Sequence, residues 1–161
     1  MIRRCQASDA LRIYKIINEA AKAYDGVIAV DCYHQPYMPL YELEREMQRV
    51  IFYGWEIDNE LVGIMGIEPI KDVTLIRHAY VLPPYQDQGI GHRLLDHLKS
   101  LTTTARLLVG TWAAARRAIA FYEKHGFSRL PDKDKLLAEY WDIPSRQIET
   151  SIVMGITIHN N

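Results

Sequence analysis

Gly89 and Gly91 stand one residue apart where an apolar strand gives way to an amphipathic helix, in the run Val81-Leu82-Pro83-Pro84-Tyr85-Gln86-Asp87-Gln88-Gly89-Ile90-Gly91-His92. Glycine lets a backbone bend tightly and approach a ligand closely. The helix that follows leaves its first N–H groups unpaired, with the positive end of its dipole at the turn. Such a turn suits a phosphate; the alternative is a turn with no ligand. Leu94 stands where a Rossmann fingerprint has its third glycine, and no Gly-Lys-Ser/Thr follows, so neither that motif nor a P-loop is present. Arg77-His78 is a second chemical feature, interrupting a strand that begins Val73-Thr74-Leu75-Ile76. Successive strand side chains face opposite sides, so one of the pair is expected to face a cleft. That would be a guanidinium for a carboxylate, or an imidazole base with a reference pKa near 6.5. The competing reading is a buried ion pair with Glu68 or Glu149, the latter placed in the last strand. The third feature is Asp31-Cys32-Tyr33-His34-Gln35-Pro36-Tyr37-Met38, a loop rich in aromatic and ionisable groups. A recognition loop on a rigid scaffold has this character; in the alternative, Tyr33, Tyr37 and Met38 cap the core and His34 is solvated.

The pattern around these residues supplies the elements that hold them. Met1 to Cys5 is a strand. Ser8-Asp9 opens a helix whose Ala10, Ile13, Tyr14, Ile17, Ala21 and Tyr24 recur at helical spacing, and Asp25-Gly26 stops it. Pro39 suits the first turn of a second helix with a Leu40, Leu43, Met47, Val50 stripe. Ile51–Ile57 and Glu60–Glu68 form a hairpin around Asp58-Asn59, and Pro69 ends it. A strand over Val73–Leu82 closes at Pro83-Pro84. The helix from Ile90 carries Leu94, Leu95, Leu98 and Leu101 on one face. Arg106–Trp112 is a strand, Ala114–His125 a helix capped by Gly126, Phe127–Leu130 a strand. A helical turn falls at Leu136–Trp141, and Ile148–Ile158 is the last strand. Meander followed by crossover helix predicts an α/β (α+β) fold: one mixed, mostly antiparallel sheet of about seven strands with about four flanking helices.

Two segments give this order a family likeness. Gln86-x-x-Gly89-x-Gly91 resembles the pyrophosphate-binding turn of the GNAT superfamily of acyl-CoA-dependent N-acetyltransferases. Ala118-Ile119-Ala120-Phe121-Tyr122-Glu123-Lys124-His125-Gly126-Phe127 resembles its second signature, and the element order is similar from end to end, as for a single domain over residues 1–161. The resemblance implies that Gln86, Asp87, Gln88, Gly89, Ile90, Gly91 and His92 form the cofactor turn, its backbone N–H groups holding the pyrophosphate of acetyl-CoA. It implies that peptide groups of Ala79, Tyr80 and Val81 pair with the pantetheine arm. The thioester would then lie between the Val73–Leu82 and Arg106–Trp112 strands. Tyr122 matches the tyrosine that often protonates the departing thiolate; a phenol of pKa about 10 can donate to a thiolate whose acid has a pKa of roughly 8.5. The alternative is a tyrosine that only packs on the sheet. The acceptor would meet the thioester beside the first two helices and last strands, making Tyr33, His34, Tyr37, Arg77 and His78 its candidate contacts. Ala115 stands where many members have a cofactor-contacting asparagine, and Gly110 where some have a glutamate base, so the general base is unassigned.

Composition narrows the rest. The chain of 161 residues is 48% hydrophobic and 24% charged, which excludes a disordered chain. Its apolar runs are far short of the ~18 residues of a membrane span, and its start lacks a signal-peptide core, so a cytoplasmic location is expected. Cys5 and Cys32 lie outside any metal-binding spacing, and no metal is expected. Nineteen Lys+Arg against 20 Asp+Glu, with no basic block, disfavours nucleic acid as a partner. The expected activity is transfer of an acetyl group from acetyl-CoA to a primary amine of a small molecule or amino acid derivative, by direct attack. A non-catalytic acyl-CoA-binding module, a transferase for protein N-termini or lysines, and one for aminoacyl-tRNA are the alternatives; a homodimer is left open.

Overall fold

In the computed structural model, which describes residues 1–159, Asp58 and Asn59 both take left-handed backbone angles (φ 51° and 66°). Two such residues make the turn whose twist matches that of a hairpin. It joins β2 (Ile51–Ile57) to β3 (Glu60–Ile70), antiparallel with Ile51 opposite Ile67 and a bulge at Trp55/Glu56. β1 (Ile2–Arg4) pairs antiparallel with β2, and β4 (Val73–Val81) follows β3 through Lys71 at φ 53°. The further strands are β5 (Arg106–Trp112), β6 (Ser128–Arg129) and β7 (Ser151–Thr157), completing a seven-stranded sheet.

The chain divides into two compact units. One takes Met1–Ala23, His34–Glu68 and Ile76–Leu101; the other takes Tyr24–Tyr33, Pro69–Leu75 and the chain from Thr102 on. The strand order is β1-β2-β3-β4 in the first and β4-β5-β7-β6 in the second, with β4 contributing residues to both. In the first unit α1 (Ala10–Ala21), α2 (Leu40–Glu46) and α3 (Ile90–Leu101) bury Ile13, Ile16, Ile17, Leu43, Leu94, Leu95 and Leu98. The α1 stripe is thus turned toward Ile16 and Ala20, and Tyr14 lies at its margin. Leu101 is 38% exposed, outside the stripe expected for it.

In the second unit β7 pairs antiparallel with β5 along its length and with β6 on its other edge. Its core joins Val73, Leu75, Leu108, Val153, Leu137 and Tyr140, with Trp141 packed against them. α4 (Arg116–Lys124) precedes β6. Two helices, α5 (Lys133–Tyr140) and α6 (Ser145–Glu149), stand where a single helical turn was expected, so the described residues hold six α-helices where about four were expected. Pro144, at the N-cap of α6, presets the backbone for a helix, and the Lys133 ammonium holds the Ile148 carbonyl at 2.6 Å. Glu149 therefore lies in α6 and not in the last strand; its side chain is 65% exposed and pairs with Arg146 at 3.2 Å. β3 also continues through Pro69 to Ile70, two residues past the expected end.

Candidate functional site

The turn ahead of α3 begins with one 3-10 turn, Pro83–Tyr85, after which Gln86 is extended. Asp87 (φ 61°) and Gly89 (φ 84°) are then both left-handed, and α3 starts at Ile90. A Cβ on Gly89 would meet nothing within 4 Å, so the requirement for glycine is its backbone angle and not space. Gly91 has no positive φ; it contributes a bare backbone to the first helical turn. The first helical N–H groups point at the turn, along the positive end of the dipole. Gln86 donates its side-chain amide to the Val81 carbonyl (2.9 Å), and Gln88 donates to the Pro84 carbonyl (3.2 Å). These glutamines shape the turn with their side chains and leave anion contacts to the backbone. A left-handed turn opening a 12-residue helix fits a pyrophosphate.

Three residues before Val81 the strand is kinked. His78 has φ 55°, a conformation rare in a strand, and the alternation of faces breaks there. Arg77 and His78 consequently reach the same partner, Glu46 at the end of α2. The Arg77 Nη2 is 3.3 Å and the His78 Nε2 3.7 Å from Glu46 Oε1. Arg77 also holds Glu68 on β3 at 2.9 Å, and Arg49 closes the cluster with Glu46 (2.8 Å) and Glu68 (3.2 Å). The Phe52 ring stacks on His78 with centroids 6.0 Å apart. Arg77 is thus committed to two buried carboxylates, and the ion pair with Glu68 is present while the one with Glu149 is not. Burial works to raise the Glu46 carboxyl, but His78, Arg77 and Arg49 outweigh it and hold it at about 2. Burial pushes the His78 imidazole below its ordinary value, with Arg77 adding to the fall and Glu46 opposing it. Glu46 is ionised and His78 neutral at pH 7.

Glu46 was not read from the sequence as a functional residue. Its signal is a carboxylate three residues after Leu43 and four before Val50, inside an apolar stripe. His34 and Tyr37 lie on a different stretch of the first unit. Their rings stack (6.4 Å), the exposed His34 donates Nδ1–H to the Pro36 carbonyl (2.8 Å), and the Asn18 amide clamps both backbone groups of Met38. Tyr33 belongs to the segment of the second unit.

In the second unit Tyr122 on α4 is 4% exposed and wedged between the rings of Phe121 and Phe127. Burial, with a smaller contribution from Tyr24, pushes its phenol above the ordinary tyrosine value, so it is protonated at physiological pH and a weaker acid than free tyrosine. A Cβ on Gly110 would come within 3.3 Å of the Trp141 ring, which fills the space an acidic side chain on that strand would need. Cys5 is not a ready nucleophile, since burial pushes its thiol up to about 12. No described helix is long and apolar enough to cross a membrane.

The profile of the Acetyltransferase (GNAT) domain matches residues 48–129, a segment that contains β2 to β5, the α3 turn and Tyr122. The chain belongs to the GNAT acetyltransferase family. Solved structures share the fold over the whole length. A GNAT-family acetyltransferase from Staphylococcus aureus Mu50 superposes with a TM-score of 0.77 at 16% identity, covering 99% of each chain. PaiA N-acetyltransferase from Thermoplasma acidophilum, solved in complex with coenzyme A, gives 0.72 at 18% identity and 98% of each chain. The ribosomal-protein-S18-alanine N-acetyltransferase of Escherichia coli gives 0.67 at 18% identity, with 100% of this chain and 95% of the other covered. As a GNAT member the protein is an acetyl-CoA-dependent N-acetyltransferase. The matched segment leaves out β1, α1, α2 and the α5–α6–β7 region.

Proposed function

We propose that this GNAT enzyme acetylates a primary amine of a small molecule or amino acid derivative, by direct attack of the amine on the thioester. The observation that carries the donor site is the left-handed pair Asp87 and Gly89 at the head of α3. Backbone N–H groups from Asp87 to His92 hold the pyrophosphate, and peptide groups of Ala79, Tyr80 and Val81 align the pantetheine arm. The Val81 carbonyl already accepts from Gln86, so contacts there fall to the remaining peptide groups. When bound, acetyl-CoA supplies an activated acyl carbon. Tyr122 donates its proton to the departing sulfur; burial raises its pKa and so keeps the hydroxyl protonated, as a donor must be, at physiological pH. The buried, protonated Cys5 supports direct transfer over an acyl-cysteine route.

A small acceptor is favoured by the pinned loop around His34 and Met38, which presents paired aromatic rings, and by the near-neutral charge of −1, unsuited to tRNA. The test is thiol release from acetyl-CoA with separate panels of small primary amines, amino acid amides, a peptide beginning with alanine, and aminoacyl-tRNA. Acetylated product with small amines is expected. Turnover confined to the peptide or the tRNA would overturn the acceptor class while keeping the transferase.

A further inference from the structure

We infer that His78, held in one tautomer by Glu46, is the general base that takes a proton from the acceptor's ammonium group. This rests on the transferase reading above and adds to it the residue that completes the proton balance. An alkyl ammonium ion has a pKa near 10, so the acceptor arrives protonated and has no lone pair to attack with. The reaction removes two protons from that nitrogen as the C–N bond forms and the C–S bond breaks. One proton ends on the coenzyme A sulfur and the other leaves to solvent, and the second of these needs a relay.

The geometry places His78 in that role. It sits directly before Ala79, Tyr80 and Val81 on β4, and its positive φ turns it toward α2 and out of the strand's alternation. The groups facing it are Glu46 and, farther off, Glu42 from α2, Arg77 from its own strand, and the Phe52 ring from β2. Its Nε2 is buried and has no hydrogen bond, with Glu46 Oε1 the acceptor at 3.7 Å. That gap is longer than a hydrogen bond, and catalytic contacts of this kind close when substrate binds. A carboxylate on that edge selects the Nε2–H tautomer and leaves the Nδ1 lone pair, on the opposite edge of the ring, as proton acceptor. Arg77 and Arg49 keep Glu46 ionised, so it orients the ring and stabilises the imidazolium without taking the proton itself. Glu46 is a positioning residue. β5 offers no carboxylate at Gly110, where Trp141 occupies the space.

The experiment compares wild type, His78→Asn and Glu46→Gln, with an amine that the wild type acetylates. Asparagine tolerates the left-handed backbone, so the kink is kept. For His78→Asn, kcat/KM at pH 7 should fall about 100-fold with coenzyme A affinity unchanged. The wild-type acid limb below pH 6.5 should disappear, leaving a rate that climbs with pH toward the pKa of the amine. Glu46→Gln should lower kcat more than it raises KM. Nuclear magnetic resonance of the His78 ring, which needs no turnover, should show Nε2–H in wild type and a shift toward the other tautomer in Glu46→Gln. A folded His78→Asn enzyme with wild-type kcat/KM and pH profile, or an Nδ1–H ring in wild type, overturns the inference alone. No thiol release by wild type with any amine overturns the transferase reading, and this inference with it.

Discussion

Arg77 and His78 are adjacent in a strand, yet both side chains converge on the Glu46 carboxylate, at 3.3 and 3.7 Å. The left-handed angle at His78 makes this possible, because it removes the half-turn that normally separates neighbouring strand side chains. The same kink leads into the peptide groups proposed to align the donor, so the proposed base and the proposed donor contacts share one distortion of β4.

Replacing Arg77 with alanine leaves Glu46 and Glu68, with side chains 10% and 9% exposed, sharing only Arg49. Removing one partner of a buried ion cluster costs about 3–5 kcal/mol, and the remaining Arg49 places this case at the low end. Urea unfolding should show the loss. An unchanged midpoint would mean the cluster is solvated and contributes little.

Stability should fall on acidification in two windows. His78 has a depressed pKa in the folded state, so its contribution is full above 6.5 and is lost as pH falls through and below that value. Glu46, held at about 2 against an ordinary 4.5, contributes above 4.5 and loses its share as pH falls toward 2, about 3 kcal/mol in all. Unfolding free energies across pH 3–8 should show both declines, and His78→Asn should abolish the upper one and shrink the lower, because His78 helps hold the Glu46 carboxyl down. A flat curve from pH 7 to pH 5 would contradict the neutral, buried imidazole.

Gly89→Val forces a β-branched residue to φ 84°, at a cost of roughly 1–2 kcal/mol. The turn should relax away from its left-handed form, and coenzyme A affinity should drop at least tenfold, about 1.4 kcal/mol, by calorimetry. Equal affinity in a folded variant would move the pyrophosphate elsewhere.

Tyr122→Phe keeps the ring between Phe121 and Phe127, so thermal stability should hold. Loss of the hydroxyl should lower kcat on the order of 10²-fold with coenzyme A binding nearly unchanged. Single-turnover rates equal to wild type would remove Tyr122 from the chemistry.

The parts of this fold that were legible in the sequence are those decided locally. Asp58-Asn59 carries its own turn preference, and Ile90, Leu94, Leu95 and Leu98 repeat at a helical period that points them inward wherever the helix lies. The Gly89 turn was legible for the same reason, since a positive φ at a helix start calls for glycine. The cluster around Glu46 was not. The left-handed angle at His78 breaks the alternation that a run of apolar strand residues implies, so strand alternation alone set Arg77 and His78 on opposite faces. Glu46 reads as a solvated helix residue until the pairing with Arg77 and Arg49 is known. α6 has five residues, too few for a periodic pattern, and Ile148 within it reads as the start of a strand.

The measurement that bears most directly on the whole account is the change in backbone amide resonances as coenzyme A is added to the intact protein. The largest changes should fall on Asp87–His92 and on Ala79–Val81, with the His78 amide following. Changes concentrated instead at the cavity of about 280 Å³ beside Arg106 and Lys135 would contradict the placement of the donor and the reading of β4 built upon it.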